Sequence, residues 1–194
     1  MKPARLAIAA VAAALYLASS AHAALIITVG DHTLLPGTPN QAIPLYVSGG
    51  DPVYGLTLVA QVADGGPSAG GSITGPTLTA DPKTGTIFDA FPGTLYSTAA
   101  SGSPQIAIAN ALLDLPYTAS ATGLIATLYI DTTGFTSGTW DLALASTLGD
   151  VTSFAGLDSS LQITPGTITI RAIPEPAALG LLAVPVATLR RRRA

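Results

Sequence analysis

The chain has 194 residues and a net charge of −3; 48% of its residues are hydrophobic and only 10% charged, with 20 glycines, 15 prolines and no cysteine. That length fits one domain with terminal extensions, and the lack of cysteine excludes a disulfide framework and any thiolate metal site. So little Glu, Lys and Arg beside so many turn formers speaks against surface helices and for an all-β protein.

Charge is unevenly placed. Lys2 and Arg5 lie at the N-terminus and Arg190, Arg191, Arg192 and Arg193 at the C-terminus, which leaves Lys83 and Arg171 against ten Asp between residues 24 and 173, a body charge of −8. An acidic body without a basic stripe excludes nucleic acid as a partner.

The N-terminus, "MKPARLAIAAVAAALYLASSAHA", has a short basic region, an apolar stretch from Leu6 to Leu17 and the small-residue pattern Ala21-His22-Ala23. This is the layout of a secretory signal peptide over residues 1–23, cut after Ala23 by signal peptidase. Its 12 apolar residues fall short of the roughly 20 that a membrane span requires.

Alternation of period two then recurs along residues 24–172. Ile43, Leu45 and Val47 share a parity; in "YGLTLVAQV" Tyr54, Leu56, Leu58, Ala60 and Val62 oppose Gly55, Thr57, Val59 and Gln61. Ile106 and Ile108 form a shorter case, and in "GLIATLYID" Leu124, Ala126, Leu128 and Ile130 align against Ile125, Thr127, Tyr129 and Asp131. Trp140, Leu142 and Leu144 follow, then Ile168 and Ile170. Each apolar set predicts the core side of a strand. The breaks, "SGGDP", "ADGGPSAGG", "DPKTG" and "TTGFTSG", are turn clusters in which Gly supplies positive φ and Asp-Pro opens a turn. Without intervening helices this predicts an antiparallel two-sheet β-sandwich of seven to nine strands, flanked by an N-terminal signal helix and a C-terminal hydrophobic helix.

The C-terminus, residues 173–194, places Pro174-Glu175-Pro176 before an apolar run from Ala177 to Leu189 and the four arginines. Such a run barely spans a bilayer, and the arginines resist translocation, so the body stands outside with the Pro-Glu-Pro at the outer face.

This tail resembles a PEP-CTERM sorting signal. The resemblance implies export in a Gram-negative bacterium that makes exopolysaccharide, recognition of Pro174, Glu175 and Pro176 by a membrane-embedded exosortase, and transient anchoring in the inner membrane. The body resembles cohesin-like jelly-roll sandwiches through "AIPLYVSGGDPVYGLTLVAQV", "GLIATLYIDTTGFTSGTWDLALAS" and "PGTITI". That resemblance implies a fold; "ADGGPSAGGS" replaces the family's usual segment after the second long strand, so no partner surface carries over.

No catalytic constellation is legible. Gly66-Pro67-Ser68-Ala69-Gly70 fits G-x-S-x-G, yet it sits in a Gly/Ser-rich loop predicted to be flexible, with no helix after it and the only body histidine, His32, before it, in a predicted turn. A zinc site cannot be assembled from one histidine. Calcium is the one metal that dispersed turn Asp residues would suit, and no calcium-loop motif is present, so no cofactor is expected. Trp140, in phase with Leu142 and Leu144, reads as core, and the tyrosines form no sugar-stacking stripe. The expectation is an exported, non-enzymatic surface or extracellular-matrix protein, structural or adhesive in exopolysaccharide or biofilm, with a glycan- or protein-binding module as the alternative.

Overall fold

The structure is a computed structural model that describes residues 24–156 and 160–171. One sheet holds β1 (Leu25–Thr28), β3 (Gln41–Ser48), β5 (Thr77–Asp81), β8 (Gly123–Asp131) and β11 (Leu161–Thr164), in the order β11-β1-β3-β8-β5. The second holds β2 (Asp31–Leu34), β4 (Gly55–Val62), β6 (Leu95–Ala99), β7 (Ile106–Leu112), β9 (Gly138–Ala143) and β12 (Gly166–Ile170), in the order β2-β12-β9-β4-β7-β6. A short β10 (Ser153–Ala155) pairs with the start of β4. The sandwich is as expected, but among the described residues its twelve strands exceed the predicted seven to nine, because short strands such as β1, β2, β10 and β11 add to those marked by alternation.

The sheets are mixed and not purely antiparallel. β1 pairs in parallel with β11, and β2 in parallel with β12. The chain's first and last strands thus run side by side, and both cross from the first sheet to the second at one level, β1 into β2 and β11 into β12. Gly30, with φ +79, and Gly166 mark the crossing, where a Cβ on Gly166 would collide with the Gly30 backbone. Only glycine permits that approach.

Between the sheets lies one apolar core, in which Leu25, Ile27, Leu45, Leu58, Leu128, Ile130, Leu142 and Ile168 are fully buried. Among the described residues, every core residue falls between Leu25 and Ile170. The alternation predicted for Ile43, Leu45 and Val47 is observed, with pattern in-out along β3. Leu142 and Leu144 are likewise buried, as are Ile168 and Ile170.

Three faces differ from expectation. On β7 the side facing the inter-sheet cluster is Ala107, Ala109 and Ala111, against which β5 packs; Ile106, of the other parity, is buried as expected at the start of the strand, and Ile108 is half-exposed. On β8 the alternation breaks: Leu45 pairs with Ala126 but Tyr46 pairs with Leu124, so Ile125 is the extra residue of a bulge and is buried, while Leu124 is half-exposed. A bulge inverts parity beyond it. On β4 both faces are buried save Thr57, and Tyr54 lies just outside the strand, exposed.

The predicted signal helix, the hydrophobic helix, and the residues Ala21, Ala23, Pro174, Glu175, Pro176, Arg190, Arg191, Arg192 and Arg193 all lie outside the described residues. Among the described residues the only helical element is one 3₁₀ turn, Pro67–Ala69, and no helix is long and apolar enough to cross a membrane.

Candidate binding surface

The residues singled out for chemistry are held in structural roles. His32 lies on β2 and not in a turn, and its Nε2–H donates to the Val29 carbonyl at 2.8 Å. Ser68 is exposed on the 3₁₀ turn, with no strand-to-helix elbow around it. The loop that carries it is tied down and not loose: the Asp64 carboxylate accepts from the amides of Ser72 (2.6 Å), Gly66 (3.1 Å) and Ile73 (3.1 Å). These bonds, the Ser72 amide foremost, hold the Asp64 carboxyl below the ordinary carboxylate value despite an opposing desolvation.

Other aspartates do similar local work. Asp31 accepts from the Thr167 amide and hydroxyl, Asp81 from the Lys83 and Thr84 amides, and Asp131 from the Thr133 amide. Among the described residues no three of His, Cys, Asp or Glu come together as a metal would require.

Trp140 is half-buried, edge-on to Phe135 at 5.3 Å, and its Nε1–H donates to the Thr74 carbonyl at 3.2 Å. It packs against the core as expected, and its remaining surface lines a small cavity of about 310 Å³ with Ala63, Asp64, Ile73, Thr139 and Asp141. The exposed tyrosines, Tyr46, Tyr54 and Tyr117, fall on separate elements and form no row.

A continuous surface does exist on the outer face of the second sheet, at β4, β7 and β6. Register places Gly55, Leu112 and Leu95 in one row; Thr57, Asn110 and Ser97 in the next; and Val59, Ile108 and Ala99 in a third. Leu95 is 68% and Leu112 45% exposed. Within the middle row Asn110 Nδ2 donates to Ser97 Oγ at 3.3 Å. The first two rows line a shallow cavity of about 460 Å³ with no charged residue in it. Gly55 keeps it open, since a Cβ there would sit 3.1 Å from Leu112 Cδ1.

At the far end of the face, Gln61 is buried under the 144–152 connection, its Oε1 accepting from the Thr147 amide at 2.7 Å. The surface is therefore bounded at one end and open at the β6 edge.

The sequence reading missed Leu95, Leu112, Ser97 and Asn110. One signal was available for β7: Asn110 shares parity with Ile106, Ile108 and Leu112, and a polar residue in that set marks the outward side.

No protein-family model and no curated protein matches the sequence. Solved structures do share the architecture, and they are cohesins. The third ScaC cohesin of Acetivibrio cellulolyticus, in complex with the ScaB dockerin, is similar with TM-score 0.53 at 12% identity, covering 76% of this chain and 99% of that one. The seventh ScaB type I cohesin of Pseudobacteroides cellulosolvens is similar with TM-score 0.53 at 14% identity, covering 79% and 95%. A type II cohesin domain from the cellulosome of Acetivibrio cellulolyticus gives 0.51 at 13%, covering 75% and 94%. At such identities the likeness is one of fold: the body is a cohesin-like sandwich.

Proposed function

We propose that this chain is an exported, non-enzymatic module that binds a protein through the outer face of β4, β7 and β6, and that its two termini are addresses: residues 1–23 for export and 173–194 for exosortase-type sorting into the cell envelope or exopolysaccharide matrix. The observation that carries the binding reading is the uncharged row of Leu95 and Leu112 on a body of charge −8. An apolar, charge-depleted centre with a polar rim is the anatomy of a protein interface.

Among the cohesins of like fold, the ScaC module is in complex with a dockerin, which supports a protein as the class of ligand. A glycan is less well served, because sugar rings stack on exposed aromatics and this face offers none beyond the half-buried Tyr96. The alignment of Pro174, Glu175 and Pro176 with an apolar run and four arginines is the support for sorting.

The test is capture from the host's extracellular fraction by immobilised residues 24–171, beside purified exopolysaccharide. The expected result is a defined protein that binds wild type and is lost in the double variant Leu95→Asp, Leu112→Asp. Retention of exopolysaccharide alone, or capture indifferent to the two substitutions, would overturn the assignment.

A further inference from the structure

The outward edge of β6 is a second feature, separate from the sheet face. Among the described residues β6 pairs with β7 alone, so alternate amides and carbonyls along Leu95–Ala99 face outward without a strand partner. Edge strands are ordinarily guarded by charge, proline or a bulge. "LYSTA" has none of these, and the nearest cation, Lys83, belongs to the preceding connection and lies over the Tyr96 ring at 5.7 Å.

Beside this edge the sandwich is open. β5 is the edge of the other sheet on the same side, and between β5 and β6 runs a cleft of about 560 Å³ lined by Leu78, Ala80, Thr98, Ala99, Ile106 and Ala107, among others, with no charged residue. The unpaired β6 edge thus flanks an apolar opening, while on the β5 side the Leu78 amide donates to the Pro104 carbonyl at 2.9 Å.

We infer that β6 pairs antiparallel with β6 of a second copy, joining the two larger sheets into one and closing the clefts against each other. The occupant follows from the strand itself. A two-fold axis perpendicular to the sheet at Ser97 sets Leu95 of each copy opposite Ala99 of the other, large against small, and Ser97 opposite Ser97. The same axis leaves both smaller sheets on one side, so the clefts face each other and their apolar lining leaves water. On a body of charge −8, β6 itself and the lining of the cleft carry no charged residue, so two copies would meet on uncharged side chains, with Asp81 and Asp89, which act on Tyr96, beside the strip.

The strand is short, so the dimer is a weak one, populated only as protein concentration rises. Self-repulsion of the acidic bodies is screened by salt whereas strand pairing is not, and dimerisation therefore strengthens with ionic strength.

Residues 24–171 hold the core cluster of the described residues and are the material to test. Sedimentation equilibrium at increasing concentration, in 0.05 and 0.5 M NaCl, is expected to give a monomer–dimer equilibrium whose dissociation constant falls several-fold at the higher salt. Ser97→Lys and Ser97→Pro, with far-ultraviolet spectra unchanged, are expected to be monomeric. If either fails to fold, hydrogen exchange of the wild type decides: the outward-facing, alternate amides of Leu95–Ala99 should gain protection with concentration. A monomer at every concentration, a dimer that survives both substitutions, or β6 amides indifferent to concentration would each overturn the inference.

Discussion

The hydroxyl of Thr152 accepts a hydrogen bond from the Val59 amide and donates one to the Val59 carbonyl, both at 3.0 Å. On this side of β4, β9 pairs only with Gln61 and Val62, and β10 only with Gly55–Thr57. One buried side chain thus stands in for the missing piece of ladder between them. A buried main-chain donor and acceptor left unmade each cost about 1–3 kcal/mol. Thr152→Val, which keeps the shape, is expected to lower stability by about 2 kcal/mol or more in urea unfolding, and Thr152→Ser by clearly less.

Leu95 and Leu128 have the same side chain and opposite expected outcomes. Leu128 is fully buried, and truncation to Ala should cost about 2–5 kcal/mol through lost burial and a residual cavity. Leu95 stands in solvent, so Leu95→Ala should change stability by no more than about 0.5 kcal/mol while weakening partner capture. Paired unfolding and binding measurements on the two variants separate folding from function.

Asp64 makes the 64–73 loop sensitive to acid. Its pKa is lower folded than unfolded, so its contribution is present above the ordinary value of 3.8 and is lost as the pH falls through the lower folded value. The amide resonances of Gly66, Ser72 and Ile73 are expected to titrate together below pH 3.8, and to lose that inflection in Asp64→Asn. Independent titration of the three amides would contradict a shared carboxylate.

Removing residues 173–194 should leave the fold untouched, because the core cluster of the described residues is built from Leu25 to Ile170. The truncated protein is expected to keep its β-rich far-ultraviolet spectrum and its unfolding midpoint. In its host it should pass to a different location with an altered mature mass. An unchanged location would remove the sorting assignment and leave the sandwich standing.

Much of the architecture is legible in period-two alternation, and the reason is physical. Wherever one face of a strand meets the core and the other meets water, as along Ile43, Leu45 and Val47, residue chemistry records the side. The record fails where both parities are apolar. In "IAIANAL" the larger isoleucines suggest a core face, yet the close passage of β5 over β7 reserves that side for the alanines. It fails again at Ile125, since a bulge is a property of two strands in register and neither alone encodes it.

The same division holds for the candidate site. Leu95 and Leu112 lie 17 positions apart in sequence, and only the hairpin of β6 and β7 brings them into one row. By itself the sequence determined the all-β class and the acidic, helix-poor body, because composition and local periodicity are properties of short segments. Tertiary structure decided the parallel pairing of first and last strands, the carboxylate-tied loop at Asp64, and which apolar residues face solvent. Those depend on partners distant in the chain, and no local pattern can carry them.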